Sequence, residues 1–297
     1  MIFTVVIPVY NRPDELRRAL KSVLSQTVQD FEVYVVDDCS SVDLKPVVDA
    51  FEDKRIHFHR MEQKGNANVS RNYGILNAQG DYIALLDSDD EWLPDHMEKS
   101  LTTIQREGAD GVYGSALVFD GEKTTLVAAR PFSGKNGAAN YLLAGGSATT
   151  PSMVINAWAA KNILFNEELS RHQDYDFTIR FADKFSWCCK WEATTLVHWK
   201  KGEERKRNHE SELKFMYRHQ ERFTKKIWVH YFMDQYAYYK QSGAEEGTLN
   251  KYRAELDKHV AFMSFADFAT VHNANGGMMA FISNFFNYGL KLIKSRF

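Results

Sequence analysis

The sequence predicts an α/β fold, a mostly parallel sheet flanked by helices and continued by a helical C-terminal extension. Three observations predict it. Over the first third, short β-branched apolar runs alternate with segments of helical periodicity, the pattern that a parallel sheet covered by helices requires. The acidic cluster Asp87-Ser88-Asp89-Asp90 follows one of those runs directly, at the strand end where open α/β sheets bind ligands. Beyond about residue 210, helical segments crowded with aromatics take over, among them Phe215, Tyr217, Trp228, Tyr231, Phe232, Tyr236 and Tyr239.

The elements follow in order. A first strand is expected from Thr4 to Pro8, and a helix from Asp14 to Gln26, where Leu16, Ala19, Leu20, Val23 and Leu24 recur at helical spacing behind Pro13. A second strand from Glu32 to Val36 completes a βαβ unit, and Ile56 to His59 adds a third. A helix from Ser70 to Asn77 leads through Gly80 into a strand from Tyr82 to Leu86, which delivers the acids. From about Asp110 the pattern mixes strands and short helices, with a Gly145-Gly146 turn and an apolar stretch from Met153 to Ile155. The expected division is a first domain over residues 1–209, with halves 1–110 and 111–209, and an extension over 210–297.

Composition excludes some classes. A chain of 297 residues with 44% hydrophobic content can bury a large core. A net charge of −2 with scattered Lys and Arg provides no footprint for nucleic acid. Of the three cysteines, Cys188 and Cys189 are adjacent and poorly placed to bridge each other, so free thiols and a reducing, cytoplasmic setting are expected. The opening Met-Ile-Phe-Thr-Val-Val-Ile-Pro reads as a buried strand rather than a leader.

The acids point to a chemistry. A departing pyrophosphate is stabilised by a hard divalent cation held by oxygen ligands, and Asp87 and Asp89, two apart on an extended segment, would face one site while Ser88 turns aside. Asp-x-Asp alone is most often a solvated turn. Here, however, Pro8-Val9-Tyr10-Asn11 and Val36-Asp37-Asp38-Cys39-Ser40 also follow apolar strands, on the same sheet edge. An Asp after the second strand can accept the imide N–H of uracil, a proton that cytosine lacks and thymine shares. One of Asp37 and Asp38 is expected instead to form an Asx-turn that caps the next helix.

Taken together, Val5-Val6-Ile7-Pro8-Val9-Tyr10-Asn11, Ser25-Gln26-Thr27, Phe31-Glu32-Val33, Val36-Asp37-Asp38, Arg71-Asn72-Tyr73-Gly74, Gly80-Asp81-Tyr82-Ile83 and Leu86-Asp87-Ser88-Asp89-Asp90 resemble, in order, the family 2 glycosyltransferases of the Rossmann-like GT-A fold. The resemblance covers roughly the first 200 residues. It implies an inverting, Mn2+- or Mg2+-dependent hexosyltransferase that takes a hexose or N-acetylhexosamine from a UDP-sugar. The acceptor would be a saccharide, lipid-linked, in the assembly of bacterial surface polysaccharide.

Site roles carry over by position. The resemblance implies that Asp38 contacts uracil, that Arg71 lies against base or diphosphate, and that Asp87 is near ribose or metal. Pro8, Tyr10, Asn11 and Ser88 complete the nucleotide-sugar set, and Asp89 is the principal metal ligand. The family's base is the Asp of a Glu-Asp pair at a helix start; here the stretch is His172-Gln173-Asp174-Tyr175-Asp176, which implies Asp174, with Asp176 as its rival. Gln173 stands where Glu is usual, and Cys39 where Gly or Asn is frequent. His198 either joins the metal or packs, and the charged run from Lys200 to Arg207 either pairs with diphosphate or is solvated.

The tail from Met278 to Phe297, drawn as a helix, gathers Phe281, Ile282, Phe285, Phe286, Leu292 and Ile293 on one arc, opposite Ser283, Asn284, Asn287, Lys291 and Lys294. That pattern suits the plane of an anionic membrane, on its cytoplasmic face, with docking on the protein's own helices or in a homodimer as the second reading. The Gln-x-x-Arg-Trp motif of processive relatives and any spanning segment are both absent, which predicts one sugar per encounter. A nucleotidyltransferase or a dinucleotide oxidoreductase would need a Gly-rich loop after the first strand, and there is none. A catalytically silent nucleotide-sugar-binding relative would be expected to lack Asp89 or Asp174, and both are present.

Overall fold

The computed structural model describes all residues except 135, 200–206, 273–277 and 295–297. Its first half follows the expected order: β1 (Phe3–Val9), α1 (Pro13–Leu24), β2 (Phe31–Asp37), α2 (Lys45–Asp49), β3 (Ile56–Arg60), α3 (Ala67–Asn77) and β4 (Tyr82–Leu85). Then come β5 (Glu91–Trp92), α4 (His96–Glu107), β6 (Gly111–Phe119), β7 (Thr124–Val127), α5 (Gly137–Leu143), β8 (Val154–Asn156), α6 (Ala157–Ile163), α7 (Gln173–Ala182), β9 (Trp187–His198) and α8 (His209–Arg218). The strands form one sheet in the order β3-β2-β1-β4-β8-β6-β9-β5, with β7 on β6. From β3 to β4 all pairings are parallel; β8 then runs antiparallel to both β4 and β6, so the far half is mixed.

β1 lies between β2 and β4, with Val5 opposite both Val33 and Ala84. The chain order reverses there, and the loops leaving the carboxyl ends of these three strands diverge to either side of a crevice. The central strands are buried on both faces, which accounts for their continuous apolar runs.

Two expected helix limits moved, each for a local reason. α1 stops at Leu24 because Gln26 turns inward: its amide donates to the Ser22 and Leu93 carbonyls at 3.1 and 2.8 Å, and its Oε1 accepts from Met97 N at 3.1 Å. The Ser25-Gln26-Thr27 motif is thus a polar plug between α1 and α4. α3 begins at Ala67 rather than Ser70, because the Asn66 side chain caps it by accepting from the backbone of Asn68 and Val69.

Gly74 shows how closely α3 packs on the sheet: a Cβ there would come within 2.5 Å of Val6 Cγ1. Gly74→Ala is therefore expected to cost about 1–3 kcal/mol through overpacking. Calorimetry should register a fall of several degrees in Tm; an unchanged Tm would mean that α3 lifts freely from β1.

The chain divides into two compact units, residues 1–218 and 219–297. α8 follows the boundary expected near Glu210, yet it belongs to the first unit, where Glu212 is buried beside Arg171 and the Ser211 hydroxyl accepts from the backbone of Ser170 and Arg171. In the second unit, α9 (Lys225–Gln241), α10 (Glu246–Lys258), α11 (Phe265–His272) and α12 (Met278–Lys294) form a helical cluster. Trp228, Tyr231, Phe232, Tyr236 and Tyr239 are buried, so these aromatics serve as core.

The tail helix reverses part of the expected picture. Asn284 is buried, Tyr288 donates to the Met263 carbonyl at 2.8 Å, and Lys291 pairs with Asp257, so it is the polar side that docks. Ile282, Phe285, Phe286, Leu290 and Ile293 stay exposed. The Tyr288 hydroxyl and the Lys291 ammonium find polar partners on the segments beneath, which a hydrocarbon surface would not offer. Among the described residues, no helix is long and apolar enough to cross a membrane.

Candidate active site

The turns after β1 and β2 are built together. Asn11 and Cys39 both adopt left-handed backbone, with φ of 53° and 59°. Asn tolerates that region, so Asn11 suits its turn, whereas Cys39 carries a Cβ and holds the same conformation at a cost that Gly would avoid. Asn11 Oδ1 accepts from the Ser41 N–H and hydroxyl at 2.8 and 3.0 Å, splicing one turn to the other. Its side chain is thus a strut, and Asn11 is not among the residues lining the adjoining cavity. Asp37, fully buried, holds the second turn by accepting from Ser40 N and Oγ. Asp38 instead lines the cavity and accepts from Gly65 N at 2.8 Å. The two adjacent acids have separate jobs, one in the turn and one facing the cavity.

The acids after β4 are arranged differently from the extended segment expected. Asp90 N donates to the Asp87 carbonyl at 3.0 Å, closing a turn, and Ser88 lines the cavity together with Asp87 and Asp89 instead of turning aside. A tight turn brings consecutive side chains round one rim, where a strand would alternate them. The cavity has a volume of about 440 Å3, and its walls also include Pro8, Tyr10, Arg12, Asp38 and Arg71. Arg71, buried on α3, pairs with Asp87 at 2.5 Å, bonds Asn68 Oδ1 at 3.2 Å and lies 5.2 Å from the Phe165 ring centre. Arg12 pairs with Asp89 at 2.6 Å. Lys64 sits 3.9 Å over the Tyr10 ring.

His198 is not brought to the acids as a ligand would be. Its Nε2 lies 2.6 Å from Glu91 Oε1, and its backbone N–H donates to Asp90 Oδ1 at 3.0 Å. It lines neither of the two cavities of this site. Residues 200–206 of the charged run lie outside the described residues. No group of three or more His, Cys, Asp or Glu among the described residues is set to hold a metal by itself. That still fits a phosphate-bridging cation, which takes one or two carboxylates and completes its shell from diphosphate oxygens and water; Asp89, on the cavity rim, offers such a carboxylate, with Asp87 beside it.

A second cavity, of about 680 Å3, shares Asp87 with the first and is lined by Asp174, His172, Tyr175, Trp199 and the segment from Gly145 to Pro151. Asp174 stands in the first turn of α7, with Oδ1 accepting from Tyr175 N at 3.0 Å. Burial raises its carboxyl pKa, opposed by that backbone N–H and by the Arg71 charge. α3 sets its approach: Asn72 accepts from Phe165 N at 2.7 Å, and the Asn68 amide donates to the carbonyls of Asn166 and Leu169. His172, in left-handed backbone at φ 58°, is half-buried, and desolvation with the nearby arginine charges pulls its pKa down to about 3, so its ring is neutral. Asp176 is fully buried against Arg180 at 2.7 Å and Arg218 at 3.5 Å, and lines neither cavity. The rival acid is a structural anchor.

Arg12, Lys64, Glu91 and Tyr175 were not foreseen. Arg12 had a signal, because it stands directly after the turn Val9-Tyr10-Asn11 and at the start of α1. Lys64 had none, since the loop between β3 and α3 has no pattern that reports its fold over Tyr10.

The glycosyl transferase family 2 model matches residues 4–161, more than half of the chain. The chain belongs to glycosyl transferase family 2. Within this family it is 32% identical over 207 residues to WcaA of Escherichia coli K12, named as a colanic acid biosynthesis glycosyl transferase; the match covers 68% of this chain and 74% of that protein. It is 34% identical over 194 residues to the amylovoran biosynthesis glycosyltransferase AmsB of Erwinia amylovora, covering 61% and 64%. The fold matches residues 1–349 of Staphylococcus aureus TarS in complex with UDP-GlcNAc, at a TM-score of 0.70 and 17% identity over 100% of this chain and 92% of that one. It also matches the Pyrobaculum calidifontis mannosyltransferase PcManGT in complex with GDP-Man and Mn2+, at 0.55 and 13%, over 98% and 80%. The architecture is therefore GT-A, and the chain is a family 2 glycosyltransferase.

Proposed function

We propose that this family 2 member is a metal-dependent, inverting, non-processive transferase that moves a hexose or N-acetylhexosamine from UDP to a saccharide. The acceptor in this reading is a lipid-linked oligosaccharide of bacterial surface polysaccharide. One observation carries the proposal: the cavity holding Asp38, Arg71 and Asp89 meets, at Asp87, the cavity holding Asp174. A donor in the first would present its anomeric carbon towards an acceptor in the second.

Asp38 accepts the uracil imide proton, and Tyr10 and Lys64 flank the base. Arg71 pairs with diphosphate oxygens while still held by Asn68. A divalent cation bound at Asp89, with Asp87 beside it, would neutralise the charge left on the departing diphosphate. His198 would join the cation through Nε2 only by giving up its Glu91 bond. Asp174 takes the acceptor hydroxyl proton as that oxygen attacks opposite the leaving group, and a base raised by burial is closer to the working pH. The neutral His172 leaves the negative charge of Asp174 uncompensated from that side. TarS bound to UDP-GlcNAc and to UDP supports a UDP donor by fold, and the WcaA and AmsB names support a polysaccharide product.

The test is release of nucleotide from a panel of UDP-, GDP- and dTDP-sugars, with Mn2+ and with chelator. Metal-dependent turnover of one UDP-sugar is expected. Binding without turnover would call for acceptor addition, and no binding of any nucleotide sugar would sink the proposal.

The exposed Ile282, Phe285, Phe286, Leu290 and Ile293 row on α12 is proposed to lie on an anionic membrane, where a lipid-linked acceptor resides. Co-sedimentation with vesicles containing anionic phosphatidylglycerol should fall at least about tenfold in Phe285→Glu/Phe286→Glu, since each buried aromatic contributes about 1.5–3 kcal/mol. Equal sedimentation would remove the membrane from the reading, and concentration-dependent self-association in its place would assign the face to a homodimer.

A further inference from the structure

The two arginines of the donor cavity are held in different ways. Arg71 has 4% of its side chain exposed and is fixed on three sides, by Asp87, Asn68 and the Phe165 ring. Arg12 has 43% of its side chain exposed, caps no helix with its side chain, and its described ion pair is with Asp89 Oδ2 at 2.6 Å. A guanidinium at that distance stands on the oxygen that a divalent cation would need, and two like charges cannot share one carboxylate oxygen without a large repulsion. Asp89 is also anchored from behind, since Arg18 donates to its backbone carbonyl at 2.5 Å and pairs with Glu91 at 3.2 Å. The backbone that carries the carboxylate is therefore held independently of Arg12.

Resting on the proposed metal-dependent reading, we propose that Arg12 is a displaceable counter-ion. It neutralises Asp89 in the free protein, and cation binding moves it from Asp89 onto the donor's diphosphate, whose paired oxygens match its planar fork. Cation and Arg12 then compete for Asp89 before the nucleotide arrives, and act together once the diphosphate supplies negative charge for both. Such coupling is reciprocal: Arg12 opposes cation binding alone and favours nucleotide binding in the presence of the cation. An empty site is thereby kept neutral and selective for the cation–nucleotide pair over the cation alone.

The test measures Mn2+ binding to the full chain by electron paramagnetic resonance of free Mn2+, first without nucleotide and then with UDP. Arg12→Ala is expected to bind Mn2+ about five- to tenfold more tightly than wild type without UDP, and to bind UDP about five- to tenfold more weakly at saturating Mn2+. Arg12→Lys, which keeps the charge and loses the fork, should leave Mn2+ affinity near wild type while weakening UDP. A merely structural role for Arg12 would lower both affinities. If Arg12→Ala binds Mn2+ no more tightly than wild type, including the case in which neither binds, the inference is overturned. An Asp89→Asn control separates the levels: loss of Mn2+ binding there leaves the metal-dependent reading standing, whereas undiminished binding moves the cation off Asp89 and overturns the inference alone.

Discussion

Asp174→Asn should lower kcat by about 10²–10⁴-fold, the range that a positioned general base supplies, with little change in donor affinity. The substitution keeps the oxygen that accepts from Tyr175 N and removes only the ionisable group. It should also raise Tm. Burial holds the Asp174 carboxyl above its ordinary pKa, so between the unfolded and folded values the native state binds more protons than the unfolded chain. Stability from this group therefore falls as pH rises through that window, and at neutral pH the carboxylate is a net cost that asparagine relieves. For the same reason the acid limb of kcat/KM should lie above the ordinary Asp range, and it should vanish in the variant. Asp176→Asn provides the contrast: the half-buried Arg180 and the exposed Arg218 lose their counter-charge and can turn to water, so about 1–3 kcal/mol of stability goes while turnover per folded molecule stays. Wild-type kcat in Asp174→Asn, with loss in Asp176→Asn, would exchange the two assignments.

Asp89→Ala is the second large effect. The cation is asked to stabilise the charge developing on the leaving diphosphate, and losing one such stabilising contact costs on the order of 10²–10³-fold. Turnover measured against Mn2+ concentration should show both the drop and a much weaker metal response. UDP affinity measured by calorimetry should become nearly the same with Mn2+ and with chelator. Arg12 and Arg71 remain to bind diphosphate, so affinity itself should persist. A variant with full metal-dependent turnover would shift the cation to Asp87 or Asp90.

The parallel half of the sheet was legible because both faces of β1, β2 and β4 are buried, and burial leaves unbroken apolar runs in a sequence. The family motifs were legible as motifs, and the structure supplies their causes. Gln26 plugs α1 against α4, Gly74 lets α3 touch Val6, and Asn72 clamps the segment leading to Asp174. Helix limits were less legible where one side chain decided them, as Asn66 does for α3.

By itself, then, the sequence determined the α/β class, the strand ends that carry acids, and the family, because these depend on local pattern and on residue types at fixed spacing. Only the tertiary structure decided which of two neighbouring acids does what. Asp37 and Asp176 are buried against Ser40 and against Arg180 and Arg218, while Asp38 and Asp174 face cavities. The same holds for His198, whose imidazole goes to Glu91, and for Arg12, which meets Asp89 across the site. Such assignments depend on which charges long-range packing brings within a few ångströms, and a one-dimensional pattern does not encode those distances.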